Sequence, residues 1–137
     1  MARNQMIFEE LDDINEIIFV QKGQVDIGYE VNKKKKFVIR YIDKTLIGAF
    51  NCTFNIRAIF CYLAKTDCEG FMIRKVDWMQ ILNDSPVIGE VVKSNVEKDY
   101  FANIKDKVLA QKDKDLLRIT KRFDYQQIQT ILSKNIV

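Results

Sequence analysis

A chain of 137 residues, 47% hydrophobic and 30% charged, is long enough for one domain with a core of its own. A net charge of +3 is too small to direct it to nucleic acid, and the complete lack of histidine removes Ser-His and Cys-His nucleophile pairs along with every histidine-based metal site. No apolar run approaches the ~20 residues that span a bilayer, and the opening residues do not read as a secretory signal.

Residues 6 to about 75 predict strands. Met6-Ile7-Phe8 supplies a short one, followed by a solvated acidic turn at Glu9, Glu10, Asp12 and Asp13. An apolar run, Ile17 to Val20, meets a Lys22-Gly23 turn signal; Val25, Ile27 and Tyr29 then alternate with polar residues at a period of two. The basic run Lys33 to Lys36 reads as a solvated turn before "KFVIRYI", which sets Phe37, Ile39 and Tyr41 on one face. "RAIFCYLAK" and "CEGFMIRK", joined by Thr66-Asp67, predict the last two strands. Short antiparallel strands at this spacing predict an α+β fold: an antiparallel, jelly-roll-like β-roll over 6–75, followed by C-terminal helices.

From Val76 the apolar period becomes helical. A short helix over 76–84 carries Trp78, Met79, Ile81 and Leu82 near one face, and Met72, Met79 and Trp78 read as core packing. Ser85 suits an N-cap and Pro86 a first helical position. The next helix, 86–109, aligns Val87, Ile88, Val91, Val92, Asn95, Val96, Tyr100, Ile104 and Val108 on one stripe. A charged hinge, "AQKDKD", comes next, and then a helical tail completing 110–137. Three cysteines without a short pairing motif predict free thiols in a reducing compartment, with Cys52 and Cys61 as small core residues. No metal site and no nucleophile–base pair emerges, so the chain is not expected to be an enzyme.

This layout resembles a cyclic nucleotide-binding domain. "DDINEIIFVQKGQVDI" is similar to the family's acidic turn, strand, Lys-Gly turn and strand. "LIGAFNCTF" stands where the family carries its phosphate-binding cassette, "AKTDCEGFMIRKVDWMQIL" resembles the strands and short helix that close the roll, and "SPVIGEVVKSNVEKDYFANI" resembles the lid helix. The tail resembles the segment C-terminal to the lid in voltage-gated and cyclic nucleotide-gated cation channels, the potassium channels especially. The resemblance implies that 1–109 is a regulatory domain on the cytoplasmic side of a membrane, part of an integral membrane protein. Its implied partners are the rest of the channel polypeptide and neighbouring subunits of a tetramer, with membrane contact only through a transmembrane part outside this sequence. The family carries a helical segment and one more strand ahead of the point where this sequence begins, which implies a fragment of a larger protein.

In the family, a cassette glycine lets the backbone approach the phosphate, a glutamate comes directly after it to hold the ribose, and an arginine ten residues on pairs with the phosphate. Here the glycine is Gly48, the next residue is Ala49, the tenth is Ala58, and the arginine is one position early at Arg57. On an extended strand a slip of one residue turns a side chain to the opposite face. The resemblance therefore implies a vestigial ligand site at Gly48, Ala49, Arg57 and Ala58, crowded by Phe50, Ile56, Ile59 and Phe60. Two lost charge-assisted contacts, at ~1.5–3 kcal/mol each, remove on the order of a hundredfold or more in affinity for cAMP or cGMP. The implied function is a channel regulatory domain with a degenerate cassette and no cofactor. The alternative is a working cyclic nucleotide sensor with a rearranged cassette. Phe123 and Tyr125, in "RFDYQQ", are candidates to fill the pocket from within the chain.

Overall fold

The computed structural model describes residues 1–121. Two antiparallel sheets form the roll. One has the order β1 (Met6–Phe8), β6 (Cys61–Ala64), β3 (Gln24–Val31), β4 (Lys34–Ile42). The other has the order β5 (Thr45–Ile47), β2 (Glu16–Lys22), β7 (Glu69–Arg74). Between β5 and β6 lies a six-residue helix, α1 (Ala49–Phe54). After β7 come α2 (Lys75–Asp84), α3 (Pro86–Tyr100), a π-helical turn (Phe101–Lys105) and α4 (Asp106–Lys121).

The hairpins form for local reasons. Asn32 and Lys33 take φ of 53° and 63°, the pair of left-handed residues that matches strand twist in a two-residue turn. Lys34, Lys35 and Lys36 therefore belong to β4, and the basic run is more than a solvated turn: Lys35 pairs with Glu9 at 2.8 Å and Lys36 with Asp115 at 2.6 Å. Asp43 and Lys44, at φ 47° and 52°, make a similar turn that carries the chain from β4 in one sheet to β5 in the other, with the Asp43 carboxylate accepting the Gly23 N–H at 2.8 Å. At Gly28 the ladder slips register, and a Cβ there would stand 1.8 Å from the Lys36 carbonyl oxygen, so only glycine lets β4 approach so closely.

The main core gathers Val20, Val25, Ile27, Ile47, Phe60 and Tyr62 from the sheets with Tyr100, Ile104 and Val108 from the helices. Arg40 closes its exposed rim with a two-armed bond to the buried Asp26, at 2.8 and 3.2 Å. The cysteines are buried and unpaired, and burial pushes the Cys52 and Cys61 thiols upward.

Several expectations change. The strand read over "RAIFCYLAK" shrinks to Cys61–Ala64, and residues 56–59 are irregular. Val87, Ile88 and Val91 face solvent, so the buried stripe of α3 begins later. Gly89 is the reason α2 and α3 touch: a Cβ there would lie 2.4 Å from the Leu82 carbonyl. Ser85 holds the N-cap position of α3 without a side-chain cap bond. Met72 is exposed rather than packed. The charged stretch 110–115 is no hinge; it is helix, and α3, the π turn and α4 run on without a break.

The π turn has a geometric cause. Val96, Tyr100, Ile104 and Val108 recur every four residues, and all four pack on the core. On a helix of ~3.6 residues per turn, a step of four drifts by about 40° each time. The wider π turn absorbs that drift and keeps the stripe on one side. Beyond it, α4 is latched to the β3–β4 hairpin: Asp115, its side chain only 15% exposed, accepts the Tyr29 hydroxyl and the Lys36 ammonium, while the Tyr41 hydroxyl donates to the Asn103 carbonyl of the π turn at 3.1 Å.

Two outcomes test this packing. Asp115→Ala removes charge-assisted bonds worth ~1.5–3 kcal/mol, so amide exchange across α4 should accelerate at least ~10-fold while β2 and β3 keep their protection; unchanged exchange in α4 would show that the latch does not hold it. Burial raises the Tyr100 phenol to about 12 and the Tyr62 phenol further still. An unfolded phenol ionises near ~10, so above that pH the unfolded chain loses protons that the folded chain keeps. The stability contributed by the neutral phenols is thus complete below pH ~10 and falls as pH rises through the folded values. In urea unfolding between pH ~10 and ~12, Tyr100→Phe should lose stability less steeply than the unsubstituted protein; parallel slopes would mean that Tyr100 is not desolvated.

Candidate functional site

The segment after β5 builds the site. Gly48 takes φ of +84° and leads into α1; a Cβ there would sit 2.9 Å from the Glu16 carbonyl oxygen, so the position is closed to side chains on two grounds. Of the six residues in α1, Ala49 to Thr53 are buried, which anchors a helix far too short to persist alone. Asn55, at φ 55°, ends it with its N–H on the Asn51 carbonyl.

Asn51 decides what comes next. Its buried side-chain amide donates to the carbonyls of Ile56 and Arg57, both at 3.1 Å. Ala58 is tied to the acidic segment, its N–H to the Asp12 carbonyl at 3.0 Å and its carbonyl to the Leu11 N–H at 2.7 Å. With the chain held on both sides, the Arg57 side chain leaves toward Asp13, which it meets at 3.0 Å. Both partners are about two-thirds exposed, at 66% and 67%. They line a polar cleft of about 330 Å³ together with Asn15, Asn55 and Lys75.

A different cavity, of about 220 Å³, opens on the other side of α1. Gly48, Ala49 and Phe50 floor it, Leu46 and Tyr62 flank it, and Val96, Tyr100 and Ile104 cover it. Its polar groups are Asn51, Asn95 and Asp99. The lid is clamped by a ring stack: Phe50 and Tyr100 lie 3.9 Å apart between centroids and 4° from parallel. Phe101 meets Phe50 edge-on at 5.7 Å, and Phe54 is tilted against it at 5.0 Å. Burial of these rings is what keeps the Tyr100 phenol protonated far into alkali.

The four cassette positions thus separate. Gly48 and Ala49 border the cavity; Ala58, 1% exposed, joins Ala49, Ile14, Ile17 and Cys52 in a small core cluster; Arg57 stands in the other cleft. The premise that Arg57 lies on a strand is overturned: the segment is irregular, and its direction comes from the Asn51 and Ala58 bonds rather than from alternation. Ile56 and Ile59 do not crowd the cavity; they are 42% and 38% exposed. Phe123 and Tyr125 lie outside the described residues. The Phe50–Tyr100 stack, Asp99 and the role of Asn51 have no counterpart among the sequence expectations. Tyr100 is visible on the helical stripe, but nothing in the sequence names its partner. Among the described residues no cluster of Cys, Asp or Glu could hold a metal ion, and no helix is long and apolar enough to cross a membrane.

No family model and no curated protein matches the chain. Solved structures do. The catabolite activator protein of Thermus thermophilus superimposes with a TM-score of 0.62 at 14% identity, over 86% of this chain and 53% of that one. The cGMP-bound EAL enzyme Bd1971 gives 0.61 at 16% identity, over 98% of this chain and 33% of that one. The regulatory domain of Toxoplasma gondii PKA with cAMP gives 0.56 at 14% identity, over 59% of this chain and 31% of that one. The matched region spans 31% to 53% of the length of these neighbours. At such identities the likeness carries the fold: an antiparallel β-roll closed by C-terminal helices, as in cyclic nucleotide-binding domains.

Proposed function

We propose that this chain is a non-catalytic regulatory domain whose cyclic nucleotide pocket has become a fixed packing contact, so that it holds neither cAMP nor cGMP. The observation that carries the reading is the direction of Arg57. Its guanidinium pairs with Asp13 on the far side of α1, and among the described residues no lysine or arginine lines the cavity beside Gly48. A cyclic phosphate placed there would be a buried anion without a counter-charge, which is strongly disfavoured. Ala49 offers the ribose no acceptor. The Phe50–Tyr100 stack supports the same reading, because it closes the helix onto the roll with the two rings in direct contact, 3.9 Å between centroids.

The broader role rests on the sequence resemblance. We infer the cytoplasmic regulatory domain of a voltage-gated, potassium-type cation channel. In such a protein a domain with one lid position works by packing and strain: it passes the conformation of neighbouring subunits to the pore and does not report a ligand. An upstream sequence with six apolar spans and a pore loop would bear this out, and an upstream kinase-inhibitory or DNA-binding context would overturn it. The second reading, a sensor with a rearranged cassette, has one observation in its favour: a cavity still lies beside Gly48 under the lid.

Calorimetry separates the two. Neither cAMP nor cGMP should release heat at concentrations up to ~100 µM, where a family-like sensor with both charged contacts would saturate. Tyr100→Ala removes the stacked ring and enlarges the cavity, yet should still bind neither, since charge rather than room is lacking. Micromolar binding that Arg57→Ala abolishes would overturn the proposal in favour of the sensor.

A further inference from the structure

We infer that the cavity under the lid is a site for a small planar aromatic ligand bearing a positive charge. The inference rests on the reading of the cavity as closed to cyclic nucleotides, and adds what it accepts. Its walls are ring and aliphatic surface, with Leu46, Phe50, Val96, Tyr100 and Ile104 on them. Apolar cavities of roughly 150 Å³ take a benzene ring, so about 220 Å³ leaves room for one or two fused rings. The stacked faces of Phe50 and Tyr100 set the orientation, because a flat ligand can continue or split that stack while a saturated one loses the contact.

Charge sets the sign. Asp99 is the ionisable carboxylate at the cavity, on the exposed rim one residue before Tyr100. It accepts one hydrogen bond, from the Asn103 side chain at 2.6 Å, which leaves lone pairs directed to solvent. Asn95, one turn earlier on the same helix, offers a second acceptor at the rim. Among the described residues no lysine or arginine lines the cavity, and Lys105 lies over the Phe101 ring at 4.6 Å. An ammonium on a short arm reaches Asp99 while its ring sits on the apolar floor. A carboxylate on the same arm meets Asp99 as a like charge.

Three probes with one ring system and different charge test this: tryptamine, indole and indole-3-acetate, titrated into the whole chain by ligand-observed NMR and calorimetry. Tryptamine should bind about three- to fivefold tighter than indole and tighter still than indole-3-acetate, a preference at the upper end of what one exposed ion pair supplies. Backbone signals of Asn95, Val96 and Tyr100 should move. Asp99→Asn, an exposed and structurally mild change, should bring tryptamine and indole to within twofold of each other; Val96→Phe should weaken all three. The inference is overturned if indole-3-acetate equals or exceeds tryptamine, if none binds, or if both variants leave tryptamine binding unchanged. A parallel cAMP titration keeps the two readings apart. Inert probes with inert cAMP would sink this inference alone, whereas cAMP binding with tryptamine excluded would sink the nucleotide-free reading as well.

Discussion

The contact on which the rest depends is the stack of Phe50 on Tyr100. It joins α1, the helix between β5 and β6, to the long helix that leaves the roll, with the Phe101 ring against Phe50 and Val96 on the cluster of Ala49 and Cys52 beside it. Each ring is placed by constraints acting far from the other. Phe50 is aimed by α1, which exists only because Gly48 and Asn55 take left-handed conformations at its two ends and five of its six residues are buried between. Tyr100 is aimed by the four-residue stripe and by the π turn that begins immediately after it. A ring pair of this kind adds ~0.5–1.5 kcal/mol beyond the area it buries. That is modest against the whole core but sufficient to bias a helix that otherwise grips the roll through a narrow stripe. In a ligand-gated domain the ligand supplies such a bias. On the reading proposed above, two side chains supply it instead.

The outward course of Arg57 has the opposite character, because side-chain energetics do not set it. Its pair with Asp13 is exposed at both ends, and such pairs are worth ~0–1 kcal/mol. The direction is fixed earlier, by the Asn51 amide on two successive carbonyls and by the bonds between Ala58 and the acidic segment. These are buried or main-chain bonds whose loss leaves unsatisfied polar groups, at about 1–3 kcal/mol each. Breaking the ion pair would free the guanidinium without turning it toward the cavity.

The parts of this architecture that are legible in sequence are those governed by local period. Alternation at Val25, Ile27 and Tyr29 announces β3, Lys22-Gly23 its entry turn, and the change of period at Val76 the helices. The absence of a glutamate after Gly48 and the displacement of the arginine are readable letter by letter. The features that cannot be read depend on which surfaces meet. Val87, Ile88 and Val91 have the spacing of a buried stripe, yet Gly89 beside them lets α2 dock against the helix from another side and leaves them in solvent. The charges of 110–115 look like a hinge because their partners, Tyr29 and Lys36, lie nearly eighty residues away or more. Arg57 stands out in the sequence, but for a strand alternation that does not exist there; an asparagine six residues earlier does that work, and nothing in its local pattern marks it.

These constraints also bear on the proposal that the cassette holds no cyclic nucleotide: on that reading it is not a single substitution away from use. Ala49 and Ala58 share one small cluster with Ile14, Ile17 and Cys52, and both are almost fully buried. A glutamate at 49 would have to leave that cluster for the cavity, and an arginine at 58 would start inside it. Overpacking a closed core costs about 1–3 kcal/mol even for an apolar side chain, and an unpaired buried charge adds several more. The cavity side of α1 has meanwhile specialised in neutral and acidic groups, with the cations Arg57 and Lys75 gathered on the other side. Asn51 borders both cavities and bonds the loop that carries Arg57, so it is the residue through which the two sides are kept distinct. A phosphate site would need the backbone after Asn51 to be rebuilt before any change of side chain could take effect.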